Sequence, residues 1–569
     1  MTTPRRIFSP LWIFALVCAG AQGQHRHGPA AGAGPGFSVC TRQYAPASLL
    51  PNLGNLNHPV STKNPEAQRF FNQGLTLIYG FNHEEALRSF RKAAELDQTL
   101  AMAHWGMALS VGPDINIDID GECERFAYDA IQDALRLSEK DTSASERAYI
   151  IALSARYTHA PNPDRQQLAV NYAVAMADLV RFYPNDLDAA TLYAESLMDL
   201  RPWKLWDNCG KPAHDTDEIV RVIESVLSRD AKHIGANHYK IHALEASTTP
   251  QNALSSATLL NSLVPNAGHL RHMPSHIYAR VGDYKAAAEA NVHAVQVDQP
   301  YVDACAGSID APECLPIYVG HYYSHNLLFL AVSYGMLGQS QPAQEAAQRA
   351  ADNALRYIKQ QPGLEHFLPT PPMMLTRFQR WDDILKTNPP YDSTLLISNA
   401  MWHWARAMAY AAKKDHDNAE KEQKDFAEQV QAVPATMSWG NNMASAMFPI
   451  AENMLRGKIA TARGQTKAAV EFLRLALDAE AALVYDEPDP WFVPVRESLG
   501  AALLRDKDPK SAEKVFRDDL KQHPNNLRAL LGLAESLQAQ GQVKAAAAAR
   551  SQFDRARKQA DVNVTLEEM

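Results

Sequence analysis

Residues 66–97 read EAQRFFNQGLTLIYGFNHEEALRSFRKAAELD, and residues 493–524 read VPVRESLGAALLRDKDPKSAEKVFRDDLKQHP. Counted from Ala67 and from Val493, a small residue stands at position 8 (Gly74, Gly500) and a leucine at 11 (Leu77, Leu503). An alanine stands at 20 (Ala86, Ala512) and a phenylalanine at 24 (Phe90, Phe516). Related patterns recur as Ser275, Tyr278, Gly282, Tyr284, Ala287; as Ala331, Tyr334, Gly338, Ala343, Ala347; and as Gly457, Ala460, Gly464, Ala469, Leu473. A repeat of about 34 residues implies a stacked array, in which each helix pair leaves an apolar face that only the next pair covers. Small residues at 8 and 20 let the two helices approach, and larger ones at 11 and 24 fill the gaps.

These residues resemble the tetratricopeptide repeat (TPR) family over most of residues 65–550. The resemblance implies an all-α, right-handed TPR α-solenoid of about ten helix pairs, and it assigns no activity, because such arrays serve many purposes. The stretches HLRHMPSHIYARVGDYKAA and YDEPDPWFVPVRESLGAALL are similar to those of a set of exported bacterial TPR proteins, a likeness that brings no substrate with it.

The expected division is a signal peptide at 1–23, a flexible segment at 24–60, a TPR array with insertions and a His-rich groove at 61–398, a C-terminal array at 399–555, and a tail at 556–569. Arg5 and Arg6 precede the short apolar run PLWIFALVCAG (residues 10–20) and small residues suited to cleavage, which predicts export to the periplasm or the medium. Residues 24–60 are rich in Gly, Ala and Pro and read as extended or disordered. No later stretch approaches the ~20 apolar residues of a membrane span. Net charge is −9 and no basic stretch alternates with aromatics, which argues against nucleic acid.

Four insertions interrupt the array: 112–121, 200–216, 299–322 and 361–398. Long loops within a compact domain more often carry function. Cys305 and Cys314 flank a short loop and are the best disulfide candidates in an oxidising compartment; Cys123 and Cys209 are a second candidate pair, which would leave Cys40 free. Ser143 and Glu146 read as a capping box.

Between residues 238 and 325 there are eight histidines, where the whole-chain rate of 20 in 569 gives about three. Six form pairs four residues apart, hence on one helical face: His238/His242, His272/His276 and His321/His325. With Ile234 and Gly268 as first positions of consecutive repeats, His238 and His272 both fall at position 5, and His242 and His276 at position 9. Glu245 falls at 12 and His269 at 2; counted from Ser324, His325 is also at 2. The resemblance implies that positions 2, 5, 9 and 12 line the concave groove, so three neighbouring helices would aim imidazoles into one space.

Imidazole suits copper, iron, zinc and nickel, and an HxxxH pair supplies two ligands from one face. The expected metal ligands are therefore His238, His242, His269, His272, His276, His321 and His325, with Glu245 as a ligand or general base. Copper is favoured, then iron or zinc, and redox chemistry over hydrolysis. The competing expectation is a metal-free scaffold that binds a peptide or protein partner in the groove. His104 and His403 read as core histidines, His83 as a solvated turn residue, and His25 and His27 as a remote copper site. Asp114, Asn116, Asp118 and Asp120 alternate without the glycine and glutamate of an EF-hand. No GxSxG, P-loop or dinucleotide fingerprint is present.

Overall fold

The computed structural model describes residues 38–390 and 392–566; the expected signal peptide, His25 and His27 lie outside them. The described residues hold 25 α-helices and a single two-stranded hairpin, Ser438–Trp439 with Asn442–Met443. Helix pairs follow one another from Pro65–Ile78 and His83–Leu96 to Leu527–Ala539 and Val543–Ala556, each packed on its neighbours in sequence. None is long and apolar enough to cross a membrane. There are more helices than about ten pairs need. The insertion at 361–398 contributes a short pair of its own, Thr370–Arg377 and Trp381–Lys386, and the helix bearing His272 is divided at Met273.

The repeat residues pack as their sizes require. The Phe90 ring lies between Gly74 and Gly106, and the Phe516 ring between Gly500 and Gly532, so that a Cβ at any of the four glycines would overlap a ring. One phenylalanine thus keys its own helix pair to the next at both ends of the array. The buried core forms two clusters, which meet across Tyr284–Cys305, Ser324–Leu337 and Ser340–Tyr357, upstream of the expected 398/399 division.

The part of the expected flexible segment that is described, residues 38–60, is extended but tied down. Gln73 donates to Ser48 O, Arg88 Nε to Ala45 O, and His58 Nδ1 pairs with Asp188 at 2.7 Å. Backbone groups left without a strand partner are satisfied by helix side chains instead. Cys40 is disulfide-bonded to Cys123, so Cys40 is not free and Cys123 does not pair with Cys209; Cys305 bonds Cys314 as expected. Arg42 donates to Ile309 O and Ala311 O, fixing the Cys305–Cys314 loop against the segment. The capping box at Ser143 and Glu146 is present in both directions.

Overpacking of a filled core costs roughly 1–3 kcal/mol. Gly106→Val and Gly532→Val should each lower the free energy of unfolding, measured in urea, by an amount in that range. Gly121→Ala, which meets only the tip of Arg125, should leave it near wild type. Equal effects at the three positions would contradict the keyed packing.

Candidate metal centre

Three helices carry the histidine cluster, and each begins where the repeat register places its first residue: Ile234–Glu245, Gly268–His272 continuing as Pro274–Arg280, and Ser324–Leu337. Pro274 removes one backbone donor, but Met273 stays helical at φ −50° and ψ −37°. His272 and His276 therefore remain on one face.

The imidazoles gather as two triads. His238, His242 and His269 bring ring nitrogens within 4.8 Å of one another, and so do His272, His276 and His325. His238 and His272 are 0% exposed, His276 1%, His269 2% and His242 6%. The triads adjoin, with ring centroids 5.7 Å apart for His242 and His276 and 5.6 Å for His269 and His272. A phenylalanine walls each one. Phe81 stacks on His242 and His269 and meets His238 edge-on, while Phe329 packs on His272, His276 and His325. Phe81 has φ +53°, in the left-handed region, at the helix–helix turn where other repeats place Gly282, Gly338 and Gly464. A bulky residue there carries strain of order 1 kcal/mol, tolerated at a position that the histidines' packing demands.

The hydrogen bonds behind the rings decide their chemistry. His238 Nδ1 donates to the Tyr79 carbonyl at 2.7 Å, and His242 Nδ1 to Glu245 Oε1 at 2.7 Å. His276 Nδ1 donates to Glu245 Oε2 at 2.5 Å, and His272 Nδ1 to Asn291 Oδ1 at 2.7 Å. The Asn291 amide is oriented by its own donation to Ala287 O. Carbonyl and carboxylate oxygens only accept, so all four rings carry a proton on Nδ1, and each ring that is neutral has its lone pair on Nε2. The Nε2 atoms of His238 and His242 are buried without a partner. Those of His272 and His276 face each other at 2.7 Å, with His325 Nε2 3.2 Å from His272. Two lone pairs at that distance repel unless a cation, a proton or a metal ion, lies between them.

Burial holds the imidazoles of His238, His242, His269, His272 and His325 below their usual pKa, assisted by the neighbouring rings. Neutral rings keep their lone pairs. Burial alone would raise the Glu245 carboxyl, but His276 and His242 hold it down at about 2. Glu245 thus spends both oxygens orienting one histidine from each triad, and neither is directed at the Nε2 atoms.

His321 stands apart from both triads. It lies in a π-helical turn, Tyr318–Tyr323, whose wider winding separates it from His325 although the two are four residues apart. His104 lies 3.9 Å from Asp133, and His403 pairs with Glu422 at 2.7 Å; neither joins the cluster. His83 is not solvated: its side chain is 18% exposed and lies 3.7 Å from Asp114. Asp114 and Asp120 accept backbone N–H groups at a turn and a helix start, which occupies the carboxylates of that loop.

The cluster borders a chamber of about 2100 Å³ lined by His242, His269, His276, His321 and His325. All four insertions reach its wall, through Ile115, Trp203, Tyr322 and Phe367 among others. Two further elements close it that the repeat pattern does not mark, the hairpin at 438–443 and the loop at 483–492. Asn441 N donates to Asp486, and Asn208 donates to the carbonyls of Ala481 and Leu483 across the chamber. Arg280 lies over the Tyr485 ring, so the two stretches similar to exported TPR proteins meet beside the cluster. Tyr79, Asn291 and His366 also escaped the sequence pattern, although His366 belongs to a flagged insertion.

No protein-family model matches the chain, and no curated protein matches it. Solved structures similar to it include the human IFIT1 dimer with PPP-AAAA, at 13% identity over 85% of this chain and 88% of that one, with a TM-score of 0.32. They also include the human IFIT1 dimer with m7Gppp-AAAA (13%; 88% and 91%; TM-score 0.34) and the APC/C hetero-tetramer Cut9–Hcn1 (13%; 83% and 76%; TM-score 0.30). Likenesses this distant carry no argument about the site.

Burial pushes His321 and His366 down to about 4. The unfolded chain therefore takes up these protons first as the pH falls below about 6.5, and stability drains until the folded rings also protonate near pH 4. In chelator, the urea midpoint should fall between pH 7.5 and pH 5, and less steeply in a His321→Phe/His366→Phe variant. Parallel profiles would contradict the assigned burial.

Proposed function

We propose that this protein binds two transition-metal ions, one on each histidine triad, and performs redox chemistry on a molecule admitted to the chamber. The observation that carries this reading is the set of buried Nε2 atoms turned inward by Nδ1 hydrogen bonds, those of His272 and His276 facing each other at 2.7 Å. Such orientation of imidazoles by acceptors behind them is typical of metal-bound histidine.

Copper is favoured, then iron or zinc. All-imidazole triads suit copper, whereas di-iron centres in helical bundles draw on several carboxylates and non-haem iron on a carboxylate with two histidines. Glu245 is committed to the Nδ1 side. Three protein ligands per ion leave positions open toward the chamber, which supports a reacting rather than a purely structural centre. A bound copper ion would supply one-electron chemistry there. This chain's residues would hold the ligands neutral, fix their tautomers and exclude water from the phenylalanine-walled side.

The metal-free reading places a peptide or protein in the concave groove. The four insertions fill much of that groove, which favours a small molecule over a long extended partner. Export to the periplasm or the medium remains part of the proposal, on the strength of the N-terminal sequence and the Cys40–Cys123 and Cys305–Cys314 disulfides.

Elemental analysis of protein purified from copper-supplemented culture should give about two equivalents of copper. His272→Ala with His276→Ala should remove one while the far-ultraviolet helical signal persists; unfolding of that variant would mark the histidines as structural. Glu245→Gln leaves one Nδ1–H facing an amide N–H and should weaken copper binding about 10–100-fold. Wild-type affinity in that variant would contradict the role given to Glu245.

A further inference from the structure

Arg280 ends the helix Pro274–Arg280 four residues after His276, so both side chains leave one face, about 6 Å apart along the axis. Its Nε donates to Glu245 O at 3.0 Å and its Nη2 to Ser247 O at 3.4 Å, at the end of the helix that carries His238 and His242. The guanidinium lies over the Tyr485 ring, 5.9 Å from its centroid, and borders the chamber. A guanidinium has five N–H donors. The two carbonyls fix its position and leave Nη1 without a protein partner among the described residues.

The other cations of the chamber wall are either paired or exposed. Arg156 meets Asp199 at 2.5 Å, Arg496 meets Glu480 at 3.2 Å, and Arg165 lies 3.5 Å from Asp118. Lys204 and Lys211 are exposed. Among the described residues Arg280 has no carboxylate in ion-pair reach, and the acids that act on it, Glu245, Glu487 and Asp489, have donors of their own. Glu245 is held between His242 and His276, Glu487 accepts from the Tyr485 hydroxyl, and Asp489 pairs with His523 at 2.5 Å. Burial also raises the Glu487 carboxyl well above its usual range, toward the neutral form. A half-buried, immobilised guanidinium with donors to spare is a seat for an anion. A single guanidinium matches the one charge of a carboxylate better than a phosphate dianion.

We propose that Arg280 anchors the carboxylate of a small organic acid, which is the class of substrate presented to the triads. The anchor stands one helical turn beyond His276, so the reacting group lies a few bonds from the carboxylate. Tyr485 beneath the guanidinium and Trp203, edge-on to His242 with centroids 5.6 Å apart, offer apolar faces to the carbon skeleton. The inference rests on the chamber being where the triads meet their substrate.

Binding of para-fluorobenzoate to full-length protein, followed by fluorine NMR with and without zinc, tests it. Metal-free wild type should bind the acid more tightly than the neutral para-fluorobenzamide. Arg280→Gln should weaken the acid by about ten-fold or more and leave the amide unchanged, with the far-ultraviolet helical signal intact. Arg280→Lys keeps the charge without the fork and should fall between the two. Zinc in the triads adds positive charge and should tighten the acid in the wild type. Equal binding of the acid to wild type and Arg280→Gln, or equal binding of acid and amide, would overturn the anchor. Binding that zinc leaves unchanged would overturn its assignment to the triads. If the wild type takes up no zinc yet holds the acid through Arg280, the metal reading fails and the carboxylate anchor stands.

Discussion

Glu245 accepts one hydrogen bond from His242 and another from His276, and the cluster depends on that pair of contacts. Each bond places a proton on Nδ1 and a lone pair on Nε2, and the carboxylate does so for one ring of each triad at once. Tyr79 O and Asn291 do the same for His238 and His272. Without these acceptors the rings could trade protons and settle as an ordinary network of buried polar groups. With them, the Nε2 atoms are turned on one another in a buried space at the edge of the chamber.

The repeat architecture makes such an arrangement inexpensive to build. Consecutive helices of a stacked array present equivalent positions side by side, about 8–10 Å apart, so a histidine pair at positions 5 and 9 of two neighbours yields four facing rings. The phenylalanine keyed between glycines at each end of the array holds the stack that sets this spacing. Around the cluster, Phe81 and Phe329 supply apolar walls, and Phe81 does so from a left-handed turn position that glycine fills at Gly282, Gly338 and Gly464 and lysine at Lys414 and Lys507. The insertions then convert an open concave surface into a chamber with the histidine rings at its edge.

Much of this was legible in the sequence because it is local or periodic. Gly74, Phe90, Gly500 and Phe516 marked the helix pairs, and the register from Ile234, Gly268 and Ser324 coincides with the helix starts. Long-range pairing was not legible. Cys40 and Cys123 are 83 residues apart and no spacing links them. The loop at 483–492 meets the cluster only because the array curves back on itself. His321 shares an i, i+4 spacing with His325, but the π-helical turn rotates it off that face, and no residue in HYYSHN announces the wider turn. The acceptors are a backbone carbonyl at the end of a remote helix, Tyr79 O, and a single amide on the next helix, Asn291, visible only once the rings they orient are in place.

Anomalous X-ray diffraction at the copper edge, on crystals of protein purified from copper-supplemented culture, tests the central claim most directly. Two adjacent peaks are expected, each about 2.0–2.1 Å from one ring nitrogen of three imidazoles, one among His238, His242 and His269 and the other among His272, His276 and His325. Crystals of the same protein with no anomalous peak at either triad, and the Nε2 atoms still opposed, would contradict it.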